Sequence, residues 1–189
     1  MRKYIFIFLY VIFFSLCSFP LSNSQTVSML NGTTQSANIN GTSSQTVSML
    51  NGTTQSESIN GTSSQTFSML NGTTQSDSIN GTARDDFITG GAGFDNITAN
   101  QGNDEIDGGV GGDKIIGQAG DDVIFGGRGN DNVSGDDGND DLYGGPGSDY
   151  LNGGKGADYF DCGTSSDTIF NLNISEGDIS MSNCEKMAR

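Results

Sequence analysis

The stretch Gly126-Gly127-Arg128-Gly129-Asn130-Asp131-Asn132-Val133-Ser134 is one of ten nonapeptides that follow one another without a break from Gly81 to Phe170. If its residues are numbered as places one to nine, place six is aspartate in all ten: Asp86, Asp95, Asp104, Asp113, Asp122, Asp131, Asp140, Asp149, Asp158 and Asp167. Place eight is always apolar, running Ile88, Ile97, Ile106, Ile115, Ile124, Val133, Leu142, Leu151, Phe160 and Ile169. Glycine holds place one except at Ala99 and Cys162, and place four except at Arg84 and Ser165. Two glycines so close together let the chain bend tightly, because glycine reaches positive φ without steric cost. Places seven to nine then read as a short strand that turns place eight inward and its two neighbours outward.

One such unit cannot bury its single apolar side chain alone. With two units per coil, each unit stacks on the next but one, and its strand pairs in parallel with the strand of that unit. Two inward ladders result, Ile88-Ile106-Ile124-Leu142-Phe160 and Ile97-Ile115-Val133-Leu151-Ile169. The spacing therefore predicts an all-β fold, a right-handed parallel β-roll or β-solenoid with two nonapeptides per coil.

The same stacking gathers the aspartates into two columns, Asp86 to Asp158 on one edge and Asp95 to Asp167 on the other. Neighbours in a column stand about 4.8 Å apart, where two bare carboxylates repel by about 3 kcal/mol at an effective dielectric near 20. A hard divalent cation resolves the conflict, with a carboxylate from each of two stacked turns and carbonyls from the glycine bends. Calcium suits an all-oxygen site of flexible geometry better than magnesium, which demands a tight octahedron and keeps its waters.

Units such as GGRGNDNVS at 126–134 and GGPGSDYLN at 144–152 resemble the RTX (hemolysin-type) calcium-binding nonapeptide, G-G-x-G-x-D-x-U-x. The resemblance covers residues 81–170 and implies Ca2+ between adjacent turns, held by the place-six aspartates and by turn carbonyls. Carried over to this chain, the ligands are the ten aspartates, with the carbonyls of Gly90, Gly93, Gly108, Gly111, Gly126, Gly129, Gly144 and Gly147. Two departures stand out. Place two is glycine on one edge, whereas Thr82, Asn100, Gln118, Asp136 and Gly154 occupy it on the other, where Asp85, Asp121 and Asn139 add oxygen at place five. Those additions either alter the affinity of that edge or are solvated loop residues. Arg84, replacing glycine in the first unit, suggests a cap.

Residues 1–24 have the layout of a secretory signal peptide, with Arg2 and Lys3 before an apolar run from Tyr4 to Phe19 and small polar residues at Ser22-Asn23-Ser24. An uncleaved anchor is the alternative. Export to an extracellular or cell-surface location fits calcium chemistry, since weak extracellular calcium modules match external calcium levels. It would also let Cys162 and Cys184 pair, the alternative being two unlinked thiols.

Residues 25–71 belong to a 20-residue repeat rich in Ser, Thr, Asn, Gln and Gly, which reads either as a flexible stalk or as a degenerate solenoid. In the roll frame Gly72–Asn80 carries Asp77 at place six, a further candidate ligand, and Ile79 at place eight. The equivalents upstream keep Ile59 and Ile39 but offer Glu57 and Ala37 in place of the aspartate. The roll is accordingly expected over residues 72–170. A C-terminal cap is expected over 171–189, where Ile174, Ile179 and Met181 could cover the last coil.

The chain of 189 residues has 23 acidic and 8 basic residues, net −15, and no histidine. Loss of Arg2 and Lys3 leaves six basic residues against the 23 acids, net −17, a balance that speaks against a nucleic-acid partner. Without histidine there is no HExxH site and no Ser-His-Asp or Cys-His pair, so no enzyme activity and no enzyme substrate are expected. Two roles remain: a calcium-folded structural or cell-envelope protein, and a calcium-dependent adhesin whose outward Val123, Phe125, Tyr143 and Tyr159 meet a cell-surface or glycan partner.

Overall fold

The computed structural model describes residues 30–31, 38–41, 50–51, 58–61, 68–184 and 186–188. The segment read as a signal peptide lies outside the described residues. What is described is strands and turns wound into a β-solenoid, two parallel sheets facing each other across one thin core.

Successive strands alternate between the sheets. The first sheet takes Leu30–Asn31, Leu50–Asn51, Ser68–Asn71, Asp86–Ala92, Glu105–Val110, Val123–Phe125, Asp141–Tyr143, Tyr159–Asp161 and Ile179–Ser180, in that spatial order. The second takes Asn38–Gly41, Ser58–Gly61, Ser78–Asn80, Asn96–Gln101, Lys114–Ala119, Asn132–Asp137, Tyr150–Lys155, Thr168–Phe170 and Lys186–Ala188. Within the nonapeptide region each strand is in register with the strand two units on, Ile88 against Ile106 and Ile106 against Ile124 in one sheet, Ile97 against Ile115 and Ile115 against Val133 in the other. Both expected ladders are present, and all ten place-eight side chains are fully or almost fully buried.

The described parts of the 20-residue repeat join the same sheets. Leu30, Leu50 and Leu70 align in turn and then meet Ile88. Ile39, Ile59 and Ile79 align likewise and then meet Ile97. The sheets thus run across residues 71 and 72 without interruption, and the side-chain amide of Asn80 donates to Asn60 Oδ1 at 2.7 Å.

The tail differs from the expected cap. Ile179 pairs with Tyr159 and Ser180 with Phe160, so Ile179 falls at an outward place and is 62 % exposed, while Ile174 and Met181 are exposed as well. The residues that pack on the end of the core are Leu172 and Cys184. Cys184 is disulfide-bonded to the buried Cys162, whose Cα lies 5.1 Å away.

Turn geometry follows from the glycines. At place four, Gly111 has φ +152°, and a Cβ there would stand 1.4 Å from the carbonyl oxygen of Gly93 in the preceding coil. No side chain fits, so stacking at this spacing requires glycine.

Candidate metal centres

The place-six aspartates are buried by the fold that exposes most other acids of the chain, with Asp86, Asp95, Asp104, Asp113, Asp122, Asp131, Asp140, Asp149, Asp158 and Asp167 all 3 % exposed or less. Each sits where the turn ends, Asp86 as the first residue of its strand and the other nine just before theirs. Its two carboxylate oxygens have different surroundings.

Oδ1 reaches back to the preceding coil. The backbone N–H of Asp86 donates to Asp104 Oδ1 at 2.7 Å, that of Asp104 to Asp122 at 2.8 Å, that of Asp122 to Asp140 at 2.9 Å and that of Asp140 to Asp158 at 3.0 Å. The other edge repeats the pattern from Asp77 through Asp95, Asp113, Asp131 and Asp149 to Asp167. From Asp95 to Asp158, one oxygen of each carboxylate is therefore engaged by main chain of the preceding coil, which leaves Oδ2 as the oxygen available to a cation.

That remaining oxygen has no hydrogen bond over most of the roll. Oδ2 of Asp95, Asp104, Asp113, Asp122, Asp131, Asp140, Asp149 and Asp158 is buried and accepts nothing. A buried acceptor left in this state costs about 1–3 kcal/mol, and more when charged. Burial pushes the carboxyls of Asp95, Asp113, Asp122 and Asp149 up to about 6, Asp140 to about 7 and Asp104 to about 8, against the partial opposing effect of the N–H bond to Oδ1. Asp131 and Asp158 are raised for the same reason. Repulsion comes after burial: Asp104 feels Asp122 and Asp86 of its own column and the neighbouring Asp85. Desolvation, more than repulsion between stacked aspartates, is what disfavours the charged column.

At place one, Oδ2 and a carbonyl of the next coil lie on the same side of the glycine. Beside the Cα of Gly90, the point where a Cβ would stand is 2.7 Å from Asp95 Oδ2 and 2.5 Å from the Gly108 carbonyl. Beside Gly108 the pair is Asp113 Oδ2 and the Gly126 carbonyl; beside Gly126, Asp131 Oδ2 and the Gly144 carbonyl; beside Gly144, Asp149 Oδ2 and the Cys162 carbonyl. The place-four carbonyls of Gly93, Gly111 and Gly129 instead face the place-four glycines of the next coil, and those glycines lie on the Oδ1 side at Asp113 and Asp149. Gly147 has the same left-handed turn, φ +155°. Among the described residues no three Cys, Asp or Glu side chains converge on one point. The oxygens on offer to a cation are the aspartate Oδ2 atoms and backbone carbonyls.

The family model for the RTX calcium-binding nonapeptide repeat (4 copies) matches residues 71–106, 80–115, 98–133, 107–142 and 134–169. The chain belongs to this RTX family. Its repeats are of the calcium-binding kind, which accords with hard oxygen donors and the buried, unsatisfied Oδ2 atoms. No curated protein and no solved structure matches the chain.

Three aspartates of the RTX columns have a satisfied Oδ2. Asp86 accepts the N–H of Thr82 at 2.6 Å and its hydroxyl at 3.0 Å, and Asp77 accepts the N–H of Thr73 at 2.6 Å and its hydroxyl at 2.9 Å. Asp178, which the nonapeptide frame did not reach, continues the column after Asp158, taking that residue's N–H on Oδ1 and the Asn173 N–H on Oδ2. The place-five oxygens do not enter the centres. Asp85, Asn103, Asp121 and Asn139 form an exposed second ladder, each side-chain oxygen accepting the N–H of the equivalent residue in the next coil.

Proposed function

We propose that this chain is a secreted RTX roll that folds on meeting calcium and serves a structural or cell-envelope role. The observation that carries the proposal is the file of eight buried Oδ2 atoms with no hydrogen-bond donor. As carboxylates they oppose burial; with a cation they become ligands, and metal binding free energy becomes folding free energy. The ligands in this reading are Oδ2 of Asp95, Asp104, Asp113, Asp122, Asp131, Asp140, Asp149 and Asp158, with place-one carbonyls such as those of Gly108, Gly126, Gly144 and Cys162. Export is supported by the basic-then-apolar start of residues 1–24, and by a disulfide that suits an oxidising compartment. The reading assigns no catalytic chemistry, in keeping with a sequence that has no histidine.

The test is far-UV circular dichroism of the full chain during calcium titration from calcium-free buffer. Strand signal should rise cooperatively with calcium. A roll already complete without calcium would sink the proposal.

A calcium-dependent adhesin is the second reading, favoured by the outer face of the first sheet. There Phe125 stacks on Tyr143 with ring centroids 4.7 Å apart, and Tyr143 meets Tyr159 at 5.9 Å. Phe87 and Phe125 also flank Glu105 and Asp107 around a shallow cavity of about 360 Å³. Aromatic and carboxylate groups together suit a glycan or another cell-surface partner. Calcium-dependent capture of the chain on cell envelopes, abolished in a Phe125→Ser, Tyr143→Ser double variant that still folds with calcium, would separate this role from a purely structural one.

A further inference from the structure

Place two of the nonapeptide divides the aspartates into two kinds. From Gly91 onward, every place-two residue has positive φ: Gly91, Asn100, Gly109, Gln118, Gly127, Asp136, Gly145, Gly154 and Gly163, between 79° and 110°. In the units of Asp95 to Asp158, Oδ2 accepts no hydrogen bond. Thr73 and Thr82 are absent from the residues with positive φ. A β-branched side chain resists that backbone region, and at both threonines the turn instead directs its own N–H to the aspartate. The hydroxyl follows. Thr73 Oγ1 accepts the N–H of Gln75 at 3.0 Å while donating to Asp77 Oδ2, and Thr82 Oγ1 accepts the N–H of Arg84 at 3.2 Å while donating to Asp86 Oδ2.

We infer that Thr73 and Thr82 stand in for calcium, so that Asp77 and Asp86 are structural aspartates and the coil 72–89 is a metal-independent edge on which the calcium-binding coils assemble. The inference rests on the reading that Oδ2 is the calcium ligand. Its physical content is exclusion by satisfaction. Two donors already neutralise the oxygen a cation would need, through charge-assisted bonds of the strong kind, and an entering ion would have to break both. The edge is also placed to act as a template. Ser78–Asn80 and Asp86–Ala92 offer paired strands to Asn96–Gln101 and Glu105–Val110, and the N–H of Asp77 and Asp86 are the donors that orient Asp95 and Asp104. Metal-bound coils would then add from the N-terminal side toward the C-terminus.

The device has a sequence signature. Gly-Thr fills places one and two at 72–73 and 81–82, and recurs upstream at 32–33, 41–42, 52–53 and 61–62; the first Gly-Gly is at 90–91. The switch from Gly-Thr to Gly-Gly marks where calcium chemistry begins.

Calorimetric calcium stoichiometry of the full chain separates this inference from the reading beneath it. Asp122→Asn should bind one ion fewer than the unaltered chain, and an unchanged count would overturn the ligand assignment itself. With that count reduced, Asp86→Asn should bind as many ions as the unaltered chain; a loss of one ion there overturns the inference alone. Thr82→Gly, which gives this unit the place-two glycine of the units of Asp95, Asp113, Asp131, Asp149 and Asp158, should gain one ion, and a folded Thr82→Gly chain with no added ion overturns the role of the threonine. Hydrogen exchange supplies a readout independent of those variants. In calcium-free buffer, amides of residues 72–89 should stay protected while those of 99–160 exchange freely, and equal loss over both stretches refutes the metal-independent edge.

Discussion

Replacing Asp122 by asparagine should have opposite effects on stability with and without calcium. Asp122 lies mid-roll, its Oδ1 held by the N–H of Asp104 at 2.8 Å and its Oδ2 without a donor. The amide oxygen of asparagine can keep the first bond. Beside Gly117, Asp122 Oδ2 and the carbonyl of Gly135 approach one point at 2.2 and 3.0 Å, so the new NH2 would have an acceptor to donate to, where the carboxylate oxygen finds no donor. At pH 8 the wild-type carboxyl is ionised although burial has pushed it up to about 6. A raise of this size corresponds to on the order of 2–3 kcal/mol against the charged form, and the metal-free variant should be more stable than the metal-free parent by about 2 kcal/mol once residual solvent is allowed for. With calcium at a hundredfold excess over its dissociation constant, losing one site removes about 2.7 kcal/mol, and the variant becomes the less stable of the two. Thermal melts followed by circular dichroism would show the crossing, in calcium and in calcium-free buffer with a stabilising osmolyte to populate the fold. Destabilisation of similar size under both conditions would refute the reasoning, because Asp122 would then be a purely structural acceptor like Asp86.

Without calcium, acidification should restore the roll. The folded-state carboxyls of Asp104, Asp140 and Asp122 lie at about 8, 7 and 6, above the unfolded value near 3.9; the stabilisation by protonation is complete below about pH 4 and is lost stepwise as pH rises through 6, 7 and 8. Strand content in calcium-free buffer should thus be higher at pH 5 than at pH 8, and calcium should reverse the order because ligation needs the carboxylate. Gly111→Ala should cost over about 4 kcal/mol, since its Cβ would meet a backbone oxygen at 1.4 Å, whereas for Gly112→Ala the nearest atoms are the Asn130 carbonyl at 3.1 Å and the exposed Phe94 ring at 3.2 Å; paired denaturation curves in calcium would show whether the two neighbours differ this way. Cys162→Ser with Cys184→Ser should lower stability by about 3 kcal/mol for a bridge spanning 22 residues, with hydrogen exchange rising first in the last coils. Uniform loss of protection along the roll would contradict that placement.

The nine-residue period carried most of the fold. Inward place eight, outward places seven and nine, and parallel pairing with the next unit but one all follow from alternation along a strand once two units close a coil. Where a coil is longer than two nonapeptides, the frame reached only one of its two strands, Ile39 and Ile59 aligning with Ile79 as expected. Leu50 continues the ladder of Leu70, and Leu30 that of Leu50, but each of these steps crosses the longer half of the upstream repeat, where a nine-residue count does not land. Asp178 was missed for the same reason at the other end, and the shift that places it inward sends Ile179 outward.

By itself the sequence determined the two ladders, the two aspartate columns and the kind of ion they suit, because these depend only on residue type and period. Only the tertiary structure decided what each carboxylate oxygen meets. Oδ1 finds an N–H supplied by the neighbouring coil, and Oδ2 finds a threonine N–H in two units and nothing in eight. The division turns on the sign of φ at place two and on contacts between coils, and these arise only once one coil is stacked on another.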